Sequence, residues 1–268
     1  MLTKEDIVDQ LGRLNIANKV VCFHSSFKSF GDVQGGPQTI IDAFLESGCT
    51  LVCPTFFYSA QTYPARINYL NNGIDYESVP EMCSVNYMGA TSQIEPSMGV
   101  IAKMLLGIEY TTRTKHPTNS FAIAGKDKAL LLANQSPFNV YSAYKAIYSE
   151  NLPALVILAG VDFESCTPIH YAEELAGKSL FRRWAVQNGQ VVEVEEGSCS
   201  DGFESLRPYV NKIESEIKIG DSLVRVYNFH CLVDTIAEAI VRDPSITHCG
   251  IENCHRCNDM VRGGRNKA

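Results

Sequence analysis

Apolar and polar positions follow two periods along this chain, and the switches between them lay out its elements. In Thr3-Lys4-Glu5-Asp6-Ile7-Val8-Asp9-Gln10-Leu11, apolar residues recur at helical spacing behind a threonine, with acids in the first turn, so a capped helix is expected there. A short strand should follow from Lys19 to Phe23, and then a loop from His24 to Gly36, rich in hydroxyls and glycines. Pro37 suits the first position of a helix that ends near Gly48, and Thr50 to Cys53 reads as the next buried strand. Regularity is lost between Tyr58 and Pro96, where Asn71-Asn72-Gly73 and several tyrosines predict a long loop or insertion. A helix resumes at Ser97 and runs through Leu106, with a strand at Phe121 to Gly125 and a helix from Asp127 to Gln135.

The clearest strand is Ala154-Leu155-Val156-Ile157-Leu158-Ala159-Gly160, since an unbroken apolar run suits a central strand covered on both faces. Thr167-Pro168 then opens a helix that stops at Gly177, and the remainder, with Trp184, Val191 to Val194 and Val224 to Tyr227, looks β-rich. The fold class this order predicts is layered α/β: a mostly parallel central sheet, flanking helices and a more β-rich C-terminal part.

Composition narrows what such a fold does. At 268 residues, 45% hydrophobic and 20% charged, the chain has ample material for a core. A net charge of −7 provides no electrostatic footprint for nucleic acid or an anionic membrane and favours a cationic small molecule. No run approaches the ~18 apolar residues of a membrane span, and Met1 to Asp6 does not resemble the start of a signal peptide, so a soluble cytoplasmic protein is expected. The 10 cysteines lie largely in apolar segments such as Val20-Val21-Cys22-Phe23, which fits free thiols in a reducing compartment.

Residues just beyond a central strand stand where α/β sheets hold their ligands, and His170 is one of them. It falls in the first turn of the predicted helix, where the dipole disfavours an imidazolium and suits a neutral general base. Glu173 and Glu174 share its helical face, and either could orient the ring. The His24 to Gly36 loop precedes a helix amino terminus without the spacing of a Walker or dinucleotide motif. Arg113 to Ser120 gathers basic and hydroxyl groups suited to phosphates or a carbonyl. Two other chemistries compete: a cysteine hydrolase using Cys166 or Cys22 with His170, and a metal-binding interaction module built on the tail. In that tail, Cys249, Cys254 and Cys257 are expected to bind zinc, with His248 or His255 as fourth ligand.

Taken in order, several segments resemble the aminoglycoside 3-N-acetyltransferase (antibiotic N-acetyltransferase) family. They are His24-Ser25-Ser26 with Phe30-Gly31 and Gly35-Gly36; Thr50-Leu51-Val52 with Pro54-Thr55; Pro96-Ser97-Met98-Gly99; and Arg113-Thr114 with His116-Pro117-Thr118 and Ser120. Ser136-Pro137-Phe138 with Ser142, Gly160-Val161, and Thr167-Pro168-Ile169-His170 with Ala172-Glu173 complete the set, over roughly residues 5 to 240.

The resemblance implies direct acetyl transfer from acetyl-CoA to the 3-amino group of an aminoglycoside, with His170 as base and Glu173 beside it. It places the coenzyme against Ser25, Ser26, Phe27, Phe30 and Gly35, and against Arg113, Thr114, His116, Pro117, Thr118 and Ser120. The expected division is an antibiotic N-acetyltransferase-like catalytic domain over residues 1–245 and a Cys/His-rich tail over 246–268. Carboxylates of Asp162, Glu164 or Asp201, with others from Tyr58 to Ile94, are expected to hold a cationic acceptor. Two departures widen the choice of acceptor to other amines, such as an amino sugar of surface polysaccharide biosynthesis. Asn119 stands where the family commonly has a second histidine, and the Tyr58 to Ile94 region differs.

Overall fold

A computed structural model describes residues 1–64, 67–79 and 81–266. In chain order the elements are α1 (Lys4–Arg13), β1 (Val20–Ser25), α2 (Pro37–Glu46), β2 (Thr50–Pro54), β3 (Gln61–Thr62), α3 (Gly99–Leu106) and β4 (Thr112–Arg113). Then come β5 (Phe121–Ala124), α4 (Lys128–Leu132), α5 (Ser142–Ser149), β6 (Ala154–Ala159), α6 (Pro168–Leu175), β7 (Phe181–Gln187) and β8 (Gln190–Glu196). The chain continues through α7 (Arg207–Val210), β9 (Ser215–Ile219), β10 (Ser222–Asn228), α8 (Phe229–Arg242) and α9 (His255–Val261).

A seven-stranded sheet in the order β4-β5-β2-β1-β6-β10-β9 forms the centre. Its middle strands β2, β1 and β6 are parallel, and the outer strands join antiparallel. The two-residue period of the middle strands sorts their side chains onto opposite faces. Val20, Cys22, Val156 and Leu158 enter one core with Ile169 of α6 and Leu232 of α8. Val21, Phe23, Leu155 and Ile157 enter the other with Ile7, Ile40, Phe44 and Ile101 of α1, α2 and α3. This double burial is why β6 is apolar throughout. A second sheet, β3-β7-β8, carries the β-rich part of the C-terminal region, with Tyr69 stacked on Trp184.

The helical content of that region exceeds expectation. α8 buries Phe229, Leu232, Val233, Ile236, Ala239 and Ile240, an i, i+3, i+4, i+7 stripe behind an Asn228 cap that the reading as β-rich overlooked. α5 was missed as well, and α4 ends at Leu132 instead of Gln135. The region from Tyr58 to Pro96 is largely irregular, as expected; Ala65, Arg66 and Pro80 in it lie outside the described residues. The 246–266 segment packs onto the body: Cys257 and Met260 are buried, Asp259 accepts from the Gly73 N–H, and Lys178 bonds the Met260 and Val261 carbonyls.

Candidate active site

Strand β1 lies between β2, reached through α2, and β6, which arrives from much later in the chain. Connections therefore leave β1 in opposite directions, and the crevice beyond the carboxyl ends of such strands is the natural ligand site. A cleft of about 300 Å³ opens there. His24 and Ser25 end β1 in its wall, Cys53 and Pro54 end β2, Ser97 and Met98 lead into α3, and Val161, Glu164, Ser165 and His170 follow β6. Gly160 makes the exit from β6 possible, with φ +64 and the Ser29 side chain filling the space a Cβ would take.

Thr167 is the cap residue of α6, but its hydroxyl makes no capping bond; Pro168 opens the helix, and Ile169 and Ala172 bury into the core. That orientation turns His170 to the cleft. Its Nδ1 lies 3.0 Å from Glu173 Oε2, and Ser198, just after β8, donates to both Glu173 oxygens at 2.8 Å. Glu173 is fully buried, and these donors compensate its desolvation. An ionised carboxylate can only accept, so this pairing suits the Nδ1–H tautomer of a neutral ring, which leaves Nε2 free to accept. Glu174, the other carboxylate on the helical face, pairs instead with Lys145 at 2.9 Å.

The ring is wedged. Tyr141, fully buried, stacks on it at 5.9 Å and 9°, and Phe203 meets it edge-on at 4.9 Å. Gly197 packs against both rings, where a Cβ would crowd the Tyr141 hydroxyl and stand 2.8 Å from His170 Cγ and 2.9 Å from its Nδ1. Arg256, from α9, holds this segment by donating to the Gly197 and Ser198 carbonyls at 2.8 Å. Ser198, Gly197, Tyr141 and Arg256 were not anticipated; the small-residue run Gly197-Ser198-Cys199-Ser200-Asp201-Gly202 was the available signal.

A pattern model described as aminoglycoside 3-N-acetyltransferase matches residues 22–240. The chain belongs to the aminoglycoside 3-N-acetyltransferase family. It is similar to aminoglycoside N(3)-acetyltransferase IV of a Salmonella species, 25% identical over 256 residues covering 91% of this chain and 89% of that protein. In fold it matches the apoenzyme of aminoglycoside acetyltransferase AAC(3)-IVa, with a TM-score of 0.77 at 23% identity over 98% of each chain. A histidine-to-alanine mutant of that enzyme in complex with a gentamicin gives 0.76 at 23% identity over 98% of this chain and 97% of that one. Members of this family are acyltransferases, and the chain is accordingly an enzyme of that class.

Against this family background, the remaining expected residues divide. Ser25 lines the cleft, whereas Phe30 is buried in the core, Phe27 packs against it, and Ser26 bonds the end of β6. Gly35 lies in the turn before α2 with φ +79. Arg113, expected against the coenzyme, is engaged within the fold: its guanidinium donates to Ser120 Oγ and to the Thr55, Ala90 and Gln93 carbonyls, stapling the long loop beside β5 and β2. The Ser120 hydroxyl donates to the Thr55 carbonyl, and the Thr114 hydroxyl accepts from the Phe121 N–H. Pro117 and Thr118 are buried, and Thr114 and His116 border a different cleft, of about 290 Å³. Burial lowers the His116 pKa to about 4, and its Nδ1 accepts from the Asn119 N–H. Asn119 is buried too, and its side chain reaches the hydroxyl of Tyr58, a residue of the His170 cleft.

Among the acids, Glu164 lines the cleft and Asp201 adjoins cleft-lining Ser200. Asp162, expected with them, is engaged with Arg225 at 3.1 Å and Arg207 at 3.5 Å. The cysteine-hydrolase reading fails on geometry. Cys22 and Cys166 are fully buried, and burial pushes both thiols far above the ordinary range, so neither supplies a thiolate. Among the described residues no helix is long and apolar enough to cross a membrane.

Proposed function

We propose that the protein transfers the acetyl group of acetyl-CoA directly to an amino group of an aminoglycoside, at the 3-N position, with His170 as general base. The observation that carries this reading is the His170–Glu173–Ser198 arrangement at the switch point of the sheet: a buried carboxylate orients the imidazole, whose Nε2 is left for the cleft. When bound, the coenzyme supplies an activated thioester carbonyl. His24 supports its fit: burial lowers the pKa of this ring to about 3, so it is neutral, and its Nε2 has no partner among the described residues. Such a nitrogen in the cleft wall suits a polar group of the pantetheine arm.

The residues then act as follows. His170 Nε2 takes a proton from the attacking amine as the new C–N bond forms, and Glu173 stabilises the imidazolium. Hydroxyls of Ser25, Ser97 and Ser165 line the same cleft and are suited to oppose the base where the carbonyl oxygen gains charge. The C–S bond breaks, and the proton held by His170 leaves with the thiol. Glu164 and Asp201 supply negative charge at the mouth for a polycationic acceptor, and the net charge of −7 steers it.

A panel of amines with acetyl-CoA, followed by thiol release, tests the reading. Aminoglycosides should be acetylated faster than neutral amines, with kcat/KM falling as salt rises. Equal rates for both classes, with no salt effect, would overturn the assignment of the acceptor. Preference for a simple amino sugar would favour the alternative raised by the divergent loop.

A further inference from the structure

We infer that Cys199, Cys249, Cys254 and Cys257 form a zinc site that clamps the C-terminal segment to the loop carrying Ser198. Their four Sγ atoms lie within 4.8 Å of one another. Four thiolates at the ~2.3 Å Zn–S distance of a tetrahedral site stand roughly 3.8 Å apart, so a small local contraction completes the coordination. Their placement has the form of a structural zinc site. Cys254 and Cys257 make a Cys-x-x-Cys pair at the start of α9, Cys249 comes from the turn before it, and Cys199 arrives from a separate element after β8.

The fourth corner differs from the histidine expected from sequence. His248 is engaged at both ring nitrogens, with Asn258 Oδ1 at 3.1 Å and the Gly250 N–H at 3.0 Å, and His255 lies 3.8 Å from Asp75. The fold's own polar groups already serve the sulfurs. The Cys249 N–H points at Cys257 Sγ at 3.4 Å, and the Cys257 and Asp201 N–H groups face the sulfurs of Cys254 and Cys199. Such donors stabilise thiolates, and an all-sulfur tetrahedral set selects zinc over hard cations. Four thiolates around one divalent ion carry two negative charges, and Arg256 stands beside them.

Position gives the site its consequence. Cys199 directly follows Ser198, which holds Glu173, and Arg256, between two of the ligands, bonds the Gly197 and Ser198 carbonyls. One ion therefore pins both ends of the contact that presses this loop against His170, from residues about fifty apart in sequence. This inference is independent of the acceptor and of the coenzyme.

The test uses the full chain, purified without added metal or immobilised-metal chromatography. Elemental analysis should find about one zinc per chain. Iodoacetamide followed by peptide mass analysis should label the exposed Cys83 and Cys231 at once, while Cys199, Cys249, Cys254 and Cys257 resist until an organomercurial releases the zinc. Hydrogen exchange should then rise together in 197–201 and 249–258. The Cys199→Ala and Cys254→Ala variants should each lose the zinc; should either fail to fold, the wild-type measurements decide. The proposal is overturned by zinc below about a tenth per chain, by another metal alone at full occupancy, or by disulfides among these four cysteines. It is equally overturned if Cys254 is alkylated as fast as Cys231, or if zinc release leaves exchange in 197–201 unchanged.

Discussion

Glu173→Gln separates a carboxylate that works in the reaction from one that only fills space. The amide is isosteric: its oxygen can accept the His170 Nδ1–H at the same 3.0 Å, and Ser198, which now donates to both oxygens, can rotate to accept from the new NH₂. Packing and hydrogen bonding are thus preserved, and stability should change by no more than ~1 kcal/mol. What disappears is the charge opposite the developing imidazolium. Two unit charges about 4 Å apart interact by ~4 kcal/mol at an effective dielectric of about 20, and the site is little screened because Glu173 is fully buried and the His170 side chain only 12% exposed. With the proton about half transferred at the transition state, roughly half of that is lost, and ~2 kcal/mol corresponds to a ~30-fold fall in kcat. The assay is steady-state thiol release with a melting curve on the same samples. Glu174→Gln is the internal control: it shares the helical face but pairs with Lys145, and should change kcat less than ~2-fold. A folded Glu173→Gln enzyme retaining more than about a third of parental kcat, or losing activity through KM alone, would refute the reasoning.

Three further outcomes follow from the same geometry. His170→Ala should lower kcat by ~10²–10⁴-fold while thermal stabilisation by acetyl-CoA persists; a folded variant above about a tenth of the parental rate removes His170 as base. Gly197→Ala should force the imidazole from its wedge, because the added Cβ would crowd the Tyr141 hydroxyl and meet the imidazole ring at 2.8 Å. A loss of ~10²-fold in kcat is expected from such displacement, and unaltered turnover contradicts the close approach. Stability should fall in acid. His24 and His116 are neutral in the fold, their pKa values lowered by burial to about 3 and about 4, so the unfolded chain binds more protons below its ordinary histidine pKa. Their contribution is complete above pH ~6.5 and is lost as pH falls toward 4, each histidine costing about 2 kcal/mol at pH 5. Equal urea midpoints at pH 7.5 and 5 would contradict this.

How much of this was legible in the sequence depends on the kind of signal each residue carries. β6 was plain because burial on both faces leaves no polar position, and the place of His170 in the cleft was legible because it follows that strand on a helix opened by Pro168. Glu173 could not be told from Glu174 by spacing, since both share the face; burial beside Ser198 decides between them. Ser198 and Cys199 lie in an aperiodic turn, and what matters about them is a contact with residues far away in sequence, which no local pattern encodes. α8 is a different failure. Its apolar stripe was present in the sequence, and a composition-level impression of β structure displaced it. Arg113 carries the least specific signal, because a basic residue among hydroxyls looks alike whether it faces a phosphate or the four protein acceptors it meets here.

That last distinction bears on where the choice of acceptor resides. Arg113 lies under the Tyr87 ring at 5.2 Å and bonds the Ala90 and Gln93 carbonyls, while Glu95 accepts from the Ser59 N–H and hydroxyl. The described ends of the irregular region are therefore anchored through the side chains of Arg113 and Glu95. His170 is held through α6, Tyr141 and the 197–201 loop. With the ring held by these groups, a change at Glu164 in the cleft wall can alter the fit to an amine while Nε2 of His170 stays in place. Substitutions at Glu164 should accordingly act on acceptor KM and its salt dependence, whereas those at Glu173, Gly197 and His170 act on kcat, because only the latter touch the ring or its immediate support.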